Sequence, residues 1–421
     1  MRLAPFSRFR RNPWLLLILI GLFADLGLAE PGERNAPVPS DPVFSVLLTS
    51  GETLKGRIRQ LGDDGSLTIA LDDDSPKERT FAQAEVVKLS RTGIGVTPVP
   101  EKQLVLLPEG DRLFRAEIGA ADETKLNVQS LGFGKLAIPL EHVAGLVLQP
   151  PEQEDAVFNL IHKVLAEPDG AEVIWLAPNG DRMNGSFLGL DDQALKFESG
   201  TGPISLERSK LIALGFDPKI VTYPLPKEGF YELTTTDNSR LGVEGLKLDQ
   251  GILEGTTRFG QPVKIALNDL VHIHSRSPSV SYLGDREAAD ARYVGYVGPT
   301  RPYQRNRSVE GKTLRLADQV YDRGLGTQSR TLLAYRLQPG DRRFQTLVGV
   351  DDRAGPLSNV VFRVLVDSKE RFRSEPLASH DEPVAIDLDV EGSKLLILIT
   401  EFGARGEVRD FANWVEARLI R

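Results

Sequence analysis

Between residues 43 and 275 apolar side chains recur at every second position, in short runs interrupted by Gly, Asn and Pro. A period of two puts the apolar groups on one face of a strand and leaves the other wet. The run from Val46 to Ile58 reads as a strand, a polar turn at Gly51 and a second strand. It recurs from Leu104 to Leu113 around Gly110, from Val173 to Phe187 around Gly180, and in weaker form from Tyr231 to Leu241 around Asn238. These turn positions lie 59, 70 and 58 residues apart. Gly and Asn accept positive φ at little cost, so turns between apolar strands select them. Each hairpin is followed by further alternating strands, such as Leu126 to Val128 and Leu136 to Leu140, and a short apolar closing element.

The spacing predicts β repeats over residues 43–96, 102–149, 171–217 and 229–275. Five short strands in about fifty residues resemble a small SH3-like or Sm-like barrel, a likeness of pattern that carries no catalytic motif. A unit this small buries little core alone, so the copies are expected to pack on one another. Residues 152–167 break the strand pattern. Val157, Leu160, Ile161, Val164 and Leu165 have the spacing of one helical face, and Glu152, Glu154 and Asp155 suit the first turn of a helix. This short helix is expected between the second and third repeats.

From Ser281 to Arg421 the pattern changes to short strands and turn signals, the mark of an antiparallel sandwich. Thr331 to Leu337, Phe344 to Val348, Val360 to Val366 and Lys394 to Ile399 are its clearest strands. Four motifs here stand in a familiar order: Tyr282-Leu283-Gly284-Asp285, Tyr321 to Ser329, Val348-Gly349-Val350-Asp351-Asp352, and Ala412 to Leu419. In this order they resemble NPCBM, the carbohydrate-binding module found beside glycoside hydrolase family 98 catalytic domains. Gln328 stands where that family usually has histidine, and Asn413 and Glu416 replace two aspartates. The resemblance implies a galactose-binding-like jelly roll, non-catalytic, with a sugar as ligand. The fold expected for the whole chain is therefore mainly β, with small barrel repeats followed by a jelly-roll β-sandwich over 281–421.

Sugar recognition uses aromatic faces against pyranose C–H groups and planar polar side chains for hydroxyls. The stretch from Tyr293 to Arg307 is densest in both, which makes Tyr296, Tyr303, Arg305 and Arg307 candidate ligand residues, with Gln328 beside them. The alternative has the tyrosines capping the sandwich edge and the arginines pairing with acids. Asp351 and Asp352, at a strand end, are weak candidates for a structural calcium; turn capping serves them equally well. Trp414 is expected in the core. His272 and His274 share a strand face without a third ligand, and are taken as surface residues rather than a zinc site.

Composition narrows the function. Cysteine is absent, which excludes disulfides, thiolate metal sites and a cysteine nucleophile. Arg2, Arg8, Arg10 and Arg11 precede the apolar run Trp14 to Phe23, and Gly27-Leu28-Ala29 follows, the signature of a signal peptide over residues 1–29. An uncleaved anchor extended through Leu26 and Leu28 is the alternative. Residues 30–42 read as a linker. Without the first 29 residues the chain holds 47 basic and 58 acidic residues, a net charge of −11. Such a protein is a poor partner for nucleic acid, and no second stretch is long enough to span a bilayer. No GxSxG, HExxH or P-loop motif occurs. The expectation is an exported binding protein, periplasmic or extracellular, that recognises polysaccharide or glycoconjugate; the alternative is a structural envelope scaffold whose module binds a protein.

Overall fold

The computed structural model describes residues 41–421 except 63, 73–76, 97–101, 227–228 and 296–300. The expected signal peptide lies outside the described residues. The first repeat is built from strands Val43–Leu48, Thr53–Leu61, Leu67–Leu71, Glu78–Phe81 and Val86–Arg91, with a short 3-10 turn, Gln83–Glu85, before the last. Their antiparallel pairing gives the order fifth, first, second, third, fourth. Three more five-stranded units of the same order run from Gln103 to Val147, Glu172 to Gly215 and Phe230 to Arg276. In each, the long second strand shifts register against the third: at Ile58/Gln60, Ile118/Ala121, Phe187/Gly189 and Glu244/Lys247. A bulge there bends one strand sharply enough to serve both halves of a curled sheet. The turn residues read from the sequence all take positive φ: Gly51 88°, Gly110 84°, Gly180 74° and Asn238 66°.

The four barrels join through their fifth strands. Val86–Arg91 of barrel 1 pairs antiparallel with Leu270–Arg276 of barrel 4. Gly145–Val147 of barrel 2 pairs with Leu211–Gly215 of barrel 3. Each pairing satisfies an edge that would otherwise expose unpaired backbone groups. Barrels 2 and 4 also meet where Arg112 lies opposite Arg240.

Helix α1, Glu154–Ala166, lies across the barrel 2–barrel 3 seam. Its buried Val157, Ile161 and Val164 pack on Leu104, Leu106, Phe114 and Val147 of barrel 2 and on Val173, Trp175 and Ala213 of barrel 3. Close approach depends on two facing glycines, Gly145 and Gly215. A Cβ on Gly145 would stand 2.2 Å from Val164, and one on Gly215 would stand 2.4 Å from the Val164 carbonyl.

The C-terminal segment is a two-sheet antiparallel sandwich. One sheet runs Gln304–Arg305, Gly324–Gln328, Phe411–Ile420, Arg343–Val350, Val384–Asp389, with Val280–Tyr282 also on Phe411–Ile420. The other runs Asp290–Tyr293, Thr331–Arg336, Leu395–Phe402, Val360–Val366, Lys369–Arg373. Phe344, Phe362, Tyr335 and Trp414 fill the core between them. Trp414 is fully enclosed and donates its indole N–H to Thr400 Oγ1 at 3.1 Å.

The two histidines expected at the surface are instead enclosed by the barrel 1–barrel 4 pairing. His272 lies opposite Ser90, and His274, 5% exposed, lies opposite Lys88. An alternating strand looks the same whether its second face meets water or a distant part of the chain, here Arg240, Asp322 and Arg323, which is why the sequence misled. Burial, then Lys88, lowers both imidazoles, His272 to about 3, with Asp322 opposing the shift in His272.

Two outcomes follow. Gly215→Ala should destabilise the protein by about 1–3 kcal/mol through overpacking, read as a lowered Tm with faster hydrogen exchange in α1; an unchanged Tm would contradict the close packing. Both histidines are neutral in the folded state and take up protons near 6.5 when unfolded, so their contribution is complete above 6.5 and declines as pH falls toward about 3. Thermal unfolding between pH 7 and 5 should show that decline, and the H272Q/H274Q double variant should flatten it.

Candidate ligand cleft at the barrel–module junction

Three barrels and the helix hold the sandwich. Gln345 Nε2 donates to the Thr49 carbonyl of barrel 1 at 3.3 Å. Glu154 of α1 receives both its bonds from Arg315 Nη2, at 3.0 and 3.1 Å, and Asp155 pairs with Lys312 and Arg353, each at 3.2 Å.

The densest contact comes from Asp322-Arg323, in the motif that leads into strand Gly324–Gln328. Arg323 donates through Nη2 to both oxygens of Glu232 in barrel 4, at 2.6 and 2.9 Å, and through Nη1 to both oxygens of Asp285, at 2.9 and 2.7 Å. Asp322 reaches Arg112 of barrel 2 at 3.3 Å and Arg240 of barrel 4 at 3.4 Å. Arg276 adds a contact to Asp285 at 3.1 Å. Burial alone would raise the Glu232 carboxyl, but Arg323, Arg240 and Arg276 more than offset that and hold it at about 2. Asp322 is lowered in the same way by Arg112 and Arg240. Asp111 goes the other way: burial and the neighbouring Glu232 raise it, against the Tyr223 hydroxyl and the Gly242 amide that bond to it.

Beside this network opens a cleft of about 770 Å³. Barrel 2 contributes Leu106, Leu107 and Glu109 to Arg112, and α1 contributes Phe158, Ile161 and Leu165. The sandwich contributes Asp285, Arg305 to Arg307, Gly311 to Thr313 and Tyr321 to Arg323. Seven of the lining side chains are basic and four acidic, so the wall is cationic although the chain is acidic.

The sequence candidates divide. Arg305 and Arg307 both line the cleft. Tyr303 turns into the sandwich: it packs on the core, its hydroxyl accepts from the Ala288 amide at 3.0 Å, and its amide donates to the Tyr293 hydroxyl at 3.2 Å. An aromatic ring at an open sheet end is stabilised more by covering the core than by standing in water. Gln328 is buried further along its strand, donating to Glu407 at 3.0 Å, away from the cleft. Tyr296 lies outside the described residues. Asp351 and Asp352 are both engaged by neighbouring amides. Asp351 caps a turn, accepting from the Arg353 amide and from Asn413 Nδ2. Asp352 accepts the amides of Ala317 and Asp318, each at 2.9 Å, and has ligand-capable atoms near those of Asp318 and His380. A nitrogen donor in that group, and carboxylate oxygens already bonded to amides, fit the oxygen shell of calcium poorly.

Sequence reasoning missed the Glu232 and Arg323 pairing. The local pattern hid it: Glu232 alternates with the core residues Tyr231 and Leu233, so it reads as a solvent-facing acid, yet it is buried.

Glu232→Gln should destabilise the junction strongly, since breaking one side of a buried pair costs about 3–5 kcal/mol; Asp285 still holds Arg323, so the lower end is expected. Thermal unfolding measures the loss, and E232Q/R323M should recover part of it by removing the stranded guanidinium.

Residues 279–420 match the family model described as the NPCBM/NEW2 domain. Among solved structures the chain is similar to a CBM51 module from Clostridium perfringens GH95 in complex with methyl-galactose. That match is 24% identical, covers 33% of this chain and 99% of that one, and has a TM-score of 0.31. It is similar also to the tandem CBM51 modules of the family 98 glycoside hydrolase from Streptococcus pneumoniae, 12% identical over 90% of this chain and 88% of that one, with a TM-score of 0.31. Among curated proteins it is 38% identical over 104 residues to growth/differentiation factor 6 of Mus musculus, covering 22% of this chain; the chain spans 23% of the length of that relative. Residues 279–420, the sandwich that carries Arg305, Arg307 and Arg323, thus belong to the NPCBM/NEW2 domain family.

Proposed function

We propose that this chain is an exported, non-catalytic binding protein that recognises polysaccharide or glycoconjugate through its C-terminal module. One observation carries the reading: an NPCBM/NEW2 sandwich whose 305–312 loop walls a cleft of a volume usual for small-ligand sites, about 300–1,000 Å³. The barrels complete that cleft and fix its shape, so the binding unit is the whole assembly. The acids at the junction are engaged by arginines, an arrangement that stabilises structure rather than placing two carboxylates across a scissile bond.

A second reading, an envelope scaffold whose module binds a protein, draws support from the part of the module already covered by barrels at Asp322 and Arg323.

The full chain applied to an array of immobilised glycans should bind a subset saturably and release no reducing ends. Absence of all glycan binding, with stable co-purification of an envelope protein, would favour the scaffold. Released sugar would contradict the non-catalytic assignment.

A further inference from the structure

The cleft has two walls of different chemistry. On the sandwich side stand Arg305 and Arg307, and what holds them is unusually rigid. Asn306 between them has φ 55°, and its amide donates to the Gly324 carbonyl at 2.7 Å. Its side chain donates to the Gly284 carbonyl and to Asp285 Oδ1, each at 3.2 Å, and accepts from the Gly324 amide at 3.0 Å. A Cβ on Gly284 would stand 2.0 Å from Asn306 Oδ1, so only glycine leaves room for that clamp. After Arg307 a tight turn closes through Ser308 and Lys312, and Arg307 Nη1 donates to the Gly311 carbonyl at 3.1 Å.

The other cationic groups lining the junction are each paired with an acid: Arg112, Arg240, Arg276 and Arg323 with Asp322, Asp285 and Glu232, and Lys312 with Asp155. Among the described residues Arg305 has only the exposed Glu287, at 3.8 Å. Arg307 is half-buried and has no carboxylate within ion-pair distance among the described residues; burial alone lowers its guanidinium. Two guanidinium groups, carried on a clamped loop and short of counter-charge, line a cleft. Its helix wall is apolar, with Phe158 half-buried and Leu165 37% exposed, beside Leu225 at 66%.

We propose that this cleft takes an acidic saccharide, its anionic group on Arg305 and Arg307 and the apolar face of its ring against Phe158 and Leu165. The proposal rests on the carbohydrate-binding reading and adds the substrate class. Guanidinium forks match a carboxylate or a sulfate in geometry as well as charge, and a partly desolvated fork gains most from such a partner. A neutral sugar would leave both arginines as they are. The clamp at Asn306 means that little ordering is needed on binding, which favours affinity.

The test uses the full chain and calorimetric titration with uronate trisaccharides (galacturonate, glucuronate and mannuronate), their carboxyl-reduced neutral counterparts, and a sulfated galactotriose. At least one uronate or the sulfated sugar should bind about tenfold or more tightly than its neutral counterpart, as charge-assisted hydrogen bonds imply, and raising the salt should weaken it. Arg305 is exposed, so R305Q should fold normally and lose most of the preference for the acidic sugar, and R305Q/R307Q should abolish that preference. Whether uronate or sulfate wins names the source of the charge. Equal affinity for acidic and neutral sugars overturns the acidic class and leaves carbohydrate recognition standing. A preference that survives R305Q/R307Q overturns the site. Binding of no saccharide at all removes both this inference and the function it rests on.

Discussion

A guanidinium enclosed by protein has to have its charge met, and Arg323 is met from both sides of a junction. Glu232 belongs to barrel 4 and Asp285 to the sandwich, and Arg323 holds both in two-point contacts. Swinging the module away would strand the acid of the barrel and half the contacts of the arginine in low-dielectric surroundings, at a cost of several kcal/mol. That penalty fixes one orientation of the sandwich on the array. It also reaches the cleft, because Asp285 accepts from Asn306 as well as from Arg323. The same carboxylate that docks the module therefore steadies the loop that carries Arg305 and Arg307.

The barrels form a platform shaped by strand pairing between copies, and the helix fits into it. Gly145 and Gly215 face each other across the seam, and their missing side chains let Val164 sit almost on the backbone. The apolar face of α1 then lies on the barrels, while Glu154 and Asp155 at its N-terminal end engage Arg315, Arg353 and Lys312 of the sandwich. One short helix thus links packing below to ion pairs above. It is also the wall of the cleft, so the element that lengthens one repeat spacing from 58–59 to 70 residues shapes the candidate site.

What was legible in the chain were features that a local rule enforces. Gly51, Gly110, Gly180 and Asn238 could be read as turns because positive φ restricts the residue type. The helix was legible because its apolar residues recur at a spacing no strand uses, and the sandwich because four motifs stand in order. What a strand pairs with at long range leaves no such mark. His272 and His274 alternate like solvent-facing residues, yet a strand from about 180 residues earlier runs beside them and Asp322 and Arg323 of the sandwich lie near their rings. Asp322 and Arg323 sit in a motif read for its family resemblance, while their partners Arg112, Arg240 and Glu232 lie in other units. Arg305 and Arg307 were singled out for their chemistry, but their separation from Tyr303 came from packing: the ring covers core and the guanidinium groups do not.

The fifth-strand pairings are nested: 2 joins 3, and 1 joins 4 around them. As the chain emerges from its N-terminus, the two inner units can zip together soon after the third is complete. The first must wait, its outer strand bare, until its mate has been made. A protein built this way has an interval in which a β edge is open to neighbours, so binding partners that shield such edges would matter most for the first unit and least for the middle two.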